Sequence, residues 1–204
     1  MKLRLMILMV IVAPCILCAQ EQETLFSGDI EHGGYGCFVA KGSPVRGQMQ
    51  LFLGGYGGWF INHTFMIGLG GYGMSSKLSA ADNVPKIQNR TLDVEMGYGG
   101  FMAEYTMNSN KIIHFSGQLL LGAGAATYSW NSQFTDDATD FQEAPVDSFF
   151  TAEFGANVEF NIASFFRMGV GGSYRFATGL DIVGLTDKDI SGPAANITLK
   201  FGKF

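Results

Sequence analysis

Three observations predict an all-β protein whose eight antiparallel strands run up and down and close into a barrel. Apolar side chains alternate with polar ones or glycines, with period two, through eight separate segments. Glycine and phenylalanine are abundant together, at 28 and 18 residues of 204, while prolines number only 5. The connections are short after strands two, four and six and long after three, five and seven. That is the length pattern of a meandering barrel whose two ends face different compartments.

The stretch from Val45 to Met74 shows the alternation. Two segments rich in glycine and aromatics, joined at Asn62-His63, carry Met49, Leu51, Leu53, Trp59 and Ile61, then Phe65, Ile67 and Leu69, in one phase. The other phase of the first segment begins with Arg46, Gln48 and Gln50. Ahead of them, a first strand is expected over 27–40. Asp29 and Glu31 share a phase there with Tyr35, Cys37 and Val39, which predicts a bulge at Gly33-Gly34; a turn is expected over Lys41–Pro44. Strand four, over 91–105, has Leu92, Val94, Met96 and Tyr98 on its apolar face and Asp93 and Glu95 opposite. A turn at Asn108–Asn110 leads to strand five, 111–130, where Ile113, Phe115, Leu119 and Leu121 oppose His114, Ser116 and Gln118. Strand six alternates Phe150, Ala152, Phe154, Ala156, Val158 and Phe160 with Thr151, Glu153, Gly155, Asn157 and Glu159. After a turn at 161–164, strand seven sets Phe166, Met168, Val170, Tyr174 and Phe176 against Arg167, Ser173 and Arg175. Strand eight sets Ala195, Ile197, Leu199 and Phe201 against Asn196, Thr198 and Lys200. The long loops cover 75–90, 131–147 and 180–193, although Leu180, Ile182 and Val183 are apolar enough to prolong strand seven.

Residues 1–19 read separately, as a secretory signal peptide: basic Lys2 and Arg4, an apolar run from Leu5 to Leu17, and cleavage after Ala19. The barrel domain is then 20–204. Pro14 and Leu17 precede Cys15 and Cys18, where a lipidation signal wants a small residue. Cleavage leaves Cys37 alone, which excludes an internal disulfide. It also takes two of the 13 basic residues, leaving 11 against 18 acidic ones, a net −7 that argues against nucleic acid as a partner.

The polarity of the two faces decides where the barrel sits. A soluble barrel hides its apolar face and covers the other with charge. Here charged residues are only 15% of the chain and the polar phase is thin. Its Arg46, Gln48, Gln50, Asp93, Glu95, His114, Gln118, Glu153, Glu159, Arg167, Arg175 and Lys200 suit a narrow lumen where they satisfy one another. The apolar phase then faces lipid, with Trp59, Tyr105 and Trp130 among the aromatics towards strand ends. Past the signal no apolar run is long enough for a spanning helix, so a closed barrel is the available spanning structure. The expectation is an eight-stranded transmembrane barrel in an outer membrane, with outer-membrane lipids around it.

The signal peptide, the eight amphipathic strands, repeats such as G-G-Y-G-G-W-F-I-N-H and G-L-G-G-Y-G-M, and the terminal Phe204 resemble small outer-membrane β-barrel proteins, most of all uncharacterised ones of Bacteroidetes. The resemblance implies that Phe204 is an assembly signal for the barrel-insertion machinery and that both ends of the mature chain are periplasmic. This chain departs from the pattern behind Phe204. Counting back in twos gives Gly202, Lys200 and Thr198, whereas the apolar phase is Phe201, Leu199 and Ile197.

Chemistry is sparse. His63 reads as a turn residue, His114 as a hydrogen-bonded lumen residue, and His32 lies in the irregular first strand. No His/Cys/Asp set has metal-ligand spacing, no cofactor is implied, and the acidic run Asp136–Glu143 reads as a solvated loop. The G-G-Y-G repeats lie within strands with no helix after them, unlike phosphate-binding loops. A lipid-modifying enzyme would need Ser116 and His114 with an acid such as Glu95 or Glu153, all of which point into the lumen. The leading expectation is a structural or surface-interaction barrel without general porin activity, its specificity carried by the long loops. The alternatives are a narrow small-solute channel, a lipid-modifying enzyme and a secreted lipid-binding barrel.

Overall fold

The computed structural model describes residues 30–84, 92–129 and 145–204. The expected signal peptide and lead, part of the first long loop, and the acidic run of the second lie outside these residues. Seven strands come first: β1 (His32–Val45), β2 (Gln48–Ile61), β3 (Phe65–Met74), β4 (Asp93–Met107), β5 (Ile113–Ser129), β6 (Val146–Ala163) and β7 (Phe166–Thr178). A two-stranded hairpin, β8 (Asp181–Ile182) with β9 (Leu185–Thr186), and a one-turn helix, α1 (Asp187–Ile190), precede the last strand, β10 (Gly192–Lys203). Each of the eight long strands pairs antiparallel with its sequence neighbour, and β1 pairs with β10 to close the barrel.

The turns form where the backbone chemistry allows. Asn62 and His63 adopt positive φ (51° and 54°) between β2 and β3, and Asn108 (55°) does so after β4. The first turn is not at Lys41–Pro44. It is Arg46-Gly47, both at positive φ (50° and 72°), the two-residue geometry whose twist matches flanking strands. β1 continues through Pro44 because its ladder with β10 stops at Gly42↔Ala195, so a missing N–H costs no bond on that side. The expected bulge at Gly33-Gly34 is also absent: β1 and β2 stay in register from His32↔Ile61 to Val45↔Gln48. The register shift recorded for β6 and β7 falls at Asn161/Ala163, beside their turn.

The outer surface is apolar around the girth. Leu69 is 70% exposed and Phe150 72%, and Leu51, Phe101, Leu121, Phe154, Val170 and Ile197 are exposed on other strands. So large an exposed apolar belt is not a surface that water tolerates. Trp59 lies near the β2–β3 turn, where its Nε1 donates to His32 Nδ1 at 3.2 Å and the two rings stack.

In β4 the expected faces are reversed. Val94, Met96 and Tyr98 point inward with Met102, Glu104 and Thr106, while Asp93 and Glu95 lie on the outer face. The cause is the surroundings of the strand's first half. Its inner side belongs to an apolar core that includes Leu78, Leu92, Phe149, Leu180, Ile182, Leu185 and Ile190. Outside, Asp93 and Glu95 meet polar partners, Ser79 and Ser129.

That core lies under a folded cap. The segment expected as a third open loop is ordered: Tyr128 donates to the Val183 carbonyl at 2.6 Å, and the Asp181 amide donates to Asp147 Oδ2 at 2.8 Å. Arg46 N–H donates to the Asp189 carbonyl at 2.9 Å. Asp187 and Asp189 accept backbone amides of the cap itself, from Gly179, Leu180 and Thr186.

Candidate functional site

The interior is the most elaborate site of the molecule, and it is two-sided. Strands β1–β4 supply rings: Tyr35, Phe52, Tyr56, Phe60, Tyr72 and Tyr98. Strands β5, β6, β7 and β10 supply most of the charged and amide groups: His114, Gln118, Glu153, Asn157, Glu159, Arg167, Arg175, Asn196 and Lys200. Period two puts every second residue inside. The polar strands use that phase for hydrogen bonding and the ring strands use it for bulk.

Two ion-paired clusters result. Near the short turns, buried Lys200 donates from Nζ to Glu104 and Glu159. Glu104 also accepts from Tyr35 (2.6 Å) and Tyr56 (2.7 Å), while Ser116 donates to Glu159. His114 Nε2 lies 3.2 Å from Glu159 Oε2, and its Nδ1 lies 3.2 Å from the Lys111 carbonyl oxygen. Arg167 covers the Phe204 ring, its Cζ 3.9 Å from the centroid, and donates to the Ser109 carbonyl at 3.3 Å. Phe204 itself packs on Tyr35 and Phe60, as its place in the inward phase requires. Beneath the cap, Lys41 pairs with Glu153 and sits 3.6 Å above the Tyr72 ring. Glu153 also accepts from Ser173 Oγ at 2.6 Å and from the Tyr98 hydroxyl at 2.7 Å. Two flexible cations inside a sheath of rings are held by geometry as well as charge.

Of the residues expected in the lumen, Gln50, His114, Gln118, Glu153, Glu159, Arg167, Arg175 and Lys200 are buried in the interior. Gln50 accepts from Ser76 Oγ at 2.5 Å, at the rim. Arg46 is a turn residue at the cap, not a wall residue, because β1 is longer than expected. Gln48, first in β2, is exposed. Asp93 and Glu95 are outside, as described. Two central members were missed. One is Lys41, expected in a turn although Tyr35, Cys37, Val39, Lys41, Ser43 and Val45 continue one phase. Glu104 is legible from Phe101 to Met107, where Phe101, Tyr105 and Met107 oppose Met102, Glu104 and Thr106.

The Ser116–His114 pair that a lipid-modifying enzyme would need is not formed. Ser116 donates to the carboxylate of Glu159 instead of to His114, so the base that would activate the hydroxyl is on the wrong partner. Glu95, one of the acids considered for that role, is on the opposite face of the wall. Cys37 is buried in the same wall. Among the described residues no group of three or more His, Cys, Asp and Glu side chains is placed to hold a metal.

No family model and no curated protein matches the chain. Solved structures do. Neisserial surface protein A aligns over 87% of this chain and all of its own, at 8% identity and a TM-score of 0.58. The N-terminal β-barrel domain of OprF from Pseudomonas aeruginosa aligns over 85% of this chain and 99% of its own, at 11% identity and a TM-score of 0.50. The fold is that of small outer-membrane β-barrels. At this identity the likeness carries architecture: eight strands, one closed sheet, the same path. It carries no ligand, so any activity has to be argued from the residues of this chain.

Proposed function

We propose that this protein is an integral outer-membrane barrel that acts as a closed platform for surface interaction and not as a porin. One observation carries the reading: the molecule is apolar outside and ion-paired inside, the inverse of a soluble barrel. In this reading the chain is exported by the 1–19 signal and inserted by the barrel-assembly machinery with Phe204 as its cue. The short turns and both mature ends then face the periplasm, and the cap and long loops face outward, where an extracellular ligand would bind. The sequence wording of the Gly-aromatic repeats supports a source among Bacteroidetes barrels. Eight strands leave an interior that side chains fill. Here they do so with Lys41, Glu153, Lys200, Glu104 and Glu159 and with the rings of Tyr35, Phe52, Tyr56, Phe60, Tyr72 and Tyr98.

The test is a pair of measurements on one preparation. The protein is expected to partition with outer-membrane detergent extracts and to show a heat-modifiable gel shift, and purified barrels in planar bilayers are expected to give no steady openings. A soluble fraction would overturn the membrane reading, and regular conductance steps would overturn the closed one.

A substitution separates the lipid face from a merely exposed one. Leu69 pairs with Gly57 and Phe101 half-way along β3. Leu69→Arg is expected to cost about 2–4 kcal/mol in phospholipid vesicles, the penalty for arginine near a bilayer midplane. Glu95→Arg, on the outer face near the rim, is expected to cost about 1 kcal/mol or less by the same depth rule. Urea unfolding in vesicles measures both; equal costs would count against the assigned depth.

A further inference from the structure

Charge divides unequally between the two interior clusters. Near the short turns, Glu104 and Glu159 face Lys200 and Arg167, two against two. Beneath the cap, among the described residues, one carboxylate, Glu153, faces two cations, Lys41 and Arg175. Glu153 is already engaged on both oxygens, by Lys41 and Ser173 on Oε1 and by Tyr98 on Oε2. The excess cation is therefore Arg175.

Its surroundings are unusual for an arginine. Arg175 is 1% exposed, with its guanidinium carbon 4.9 Å from the centroids of both Phe52 and Tyr98. Nε donates to the Ile190 carbonyl of the cap at 2.7 Å, but among the described residues neither Nη1 nor Nη2 has a partner of hydrogen-bond geometry, the Tyr98 hydroxyl being the polar group beside them. The nearby acids do not serve it. Asp147, Asp187 and Asp189 accept backbone amides at the rim and in the cap. A buried guanidinium with its two terminal nitrogens unmatched and, among the described residues, no spare carboxylate is a strong electrostatic demand. It is also a directional one, since both nitrogens donate from one plane.

We propose that Arg175 binds a halide-sized monovalent anion, chloride in ordinary buffers, beneath the cap. One negative charge restores balance to that cluster, whereas a polyvalent anion such as phosphate overshoots it. The anion sits on the Nη edge, while Nε stays with Ile190 and so ties the cap to the occupied site. The cap thereby becomes more stable when the anion is bound, through the shared guanidinium.

The intact barrel in detergent micelles tests this. Its unfolding by urea is followed at constant ionic strength while chloride replaces gluconate, which is too bulky to enter. Above the dissociation constant, each tenfold rise in chloride is expected to lower the unfolding equilibrium constant about tenfold. In Arg175→Met this dependence is expected to vanish. Crystals grown from sodium bromide provide the second measurement, with an anomalous peak expected within hydrogen-bond distance of Nη1 or Nη2. Equal unfolding in the two salts, or a chloride effect that persists in R175M, overturns the proposal. If R175M does not fold, the bromide map of the native protein decides, and no peak at Arg175 overturns the site.

Discussion

Lys200→Met is expected to destabilise the barrel by about 3–5 kcal/mol, the cost of breaking a buried ion pair by removing one partner. Lys200 is 1% exposed and its single ammonium group donates to both Glu104 and Glu159. Methionine keeps most of the stem and its packing, so the loss is electrostatic. Two carboxylates then remain in one buried cluster with a single cation, Arg167, and the hydrogen bonds of Tyr35, Tyr56, Thr106, Ser116 and His114 to answer them. The double change Lys200→Met with Glu104→Gln is expected to recover most of that loss, because one carboxylate, Glu159, then stands against one cation, Arg167. Urea unfolding of the two proteins measures the difference. A K200M barrel as stable as the parent would mean that water reaches the cluster and screens it, which would also undermine the closed interior.

How far the sequence revealed this network follows from what lies on each side of a strand. On β5, β6, β7 and β10 the alternation was readable because the two faces differ sharply: Phe150, Phe154 and Phe176 outside, Glu153, Glu159 and Arg175 inside. β4 misled because its environment changes along its length. Over Val94–Tyr98 the inside is apolar, packed with the core beneath the cap, and over Met102–Thr106 it is polar around Glu104. A single polarity rule applied to the whole strand therefore failed at one end. Lys41 was hidden differently. Pro44 reads as a turn residue, yet it lies past the last β1–β10 pair and is harmless there. The cap was legible only as a hint, in the apolar Leu180, Ile182 and Val183. Its fold depends on distant partners, Tyr128, Asp147 and Arg46, which no local pattern connects. Local alternation thus located the wall, and long-range contacts located its lid.

Gly100→Ala is expected to cost about 3 kcal/mol or more, at the upper end of overpacking penalties, although it adds one methyl group. Gly100 pairs with Gly122 across β4 and β5, both in the inward phase. A Cβ at Gly100 falls 2.2 Å from the Leu121 carbonyl oxygen and 2.5 Å from the Gly122 Cα. The reciprocal Cβ at Gly122 meets the Gly99 oxygen at 2.1 Å. Those neighbours are backbone, so no rotamer change relieves the clash and the ladder itself has to open. The same interlock recurs at Gly58 and Gly68 across β2 and β3. At these positions the neighbouring backbones come too close for a side chain, and the glycines leave space beside Tyr56 and Tyr98 within a narrow barrel. Gly117→Ala is the control: it lies on the outer face of β5 with nothing within 4 Å of its Cβ position, and is expected to be neutral or slightly stabilising. The heat-modifiable fraction after refolding, with urea midpoints for whatever folds, distinguishes the two. If G100A folds as well as G117A, the glycines are compositional and not steric, and the close approach that confines the interior charges has to be explained some other way.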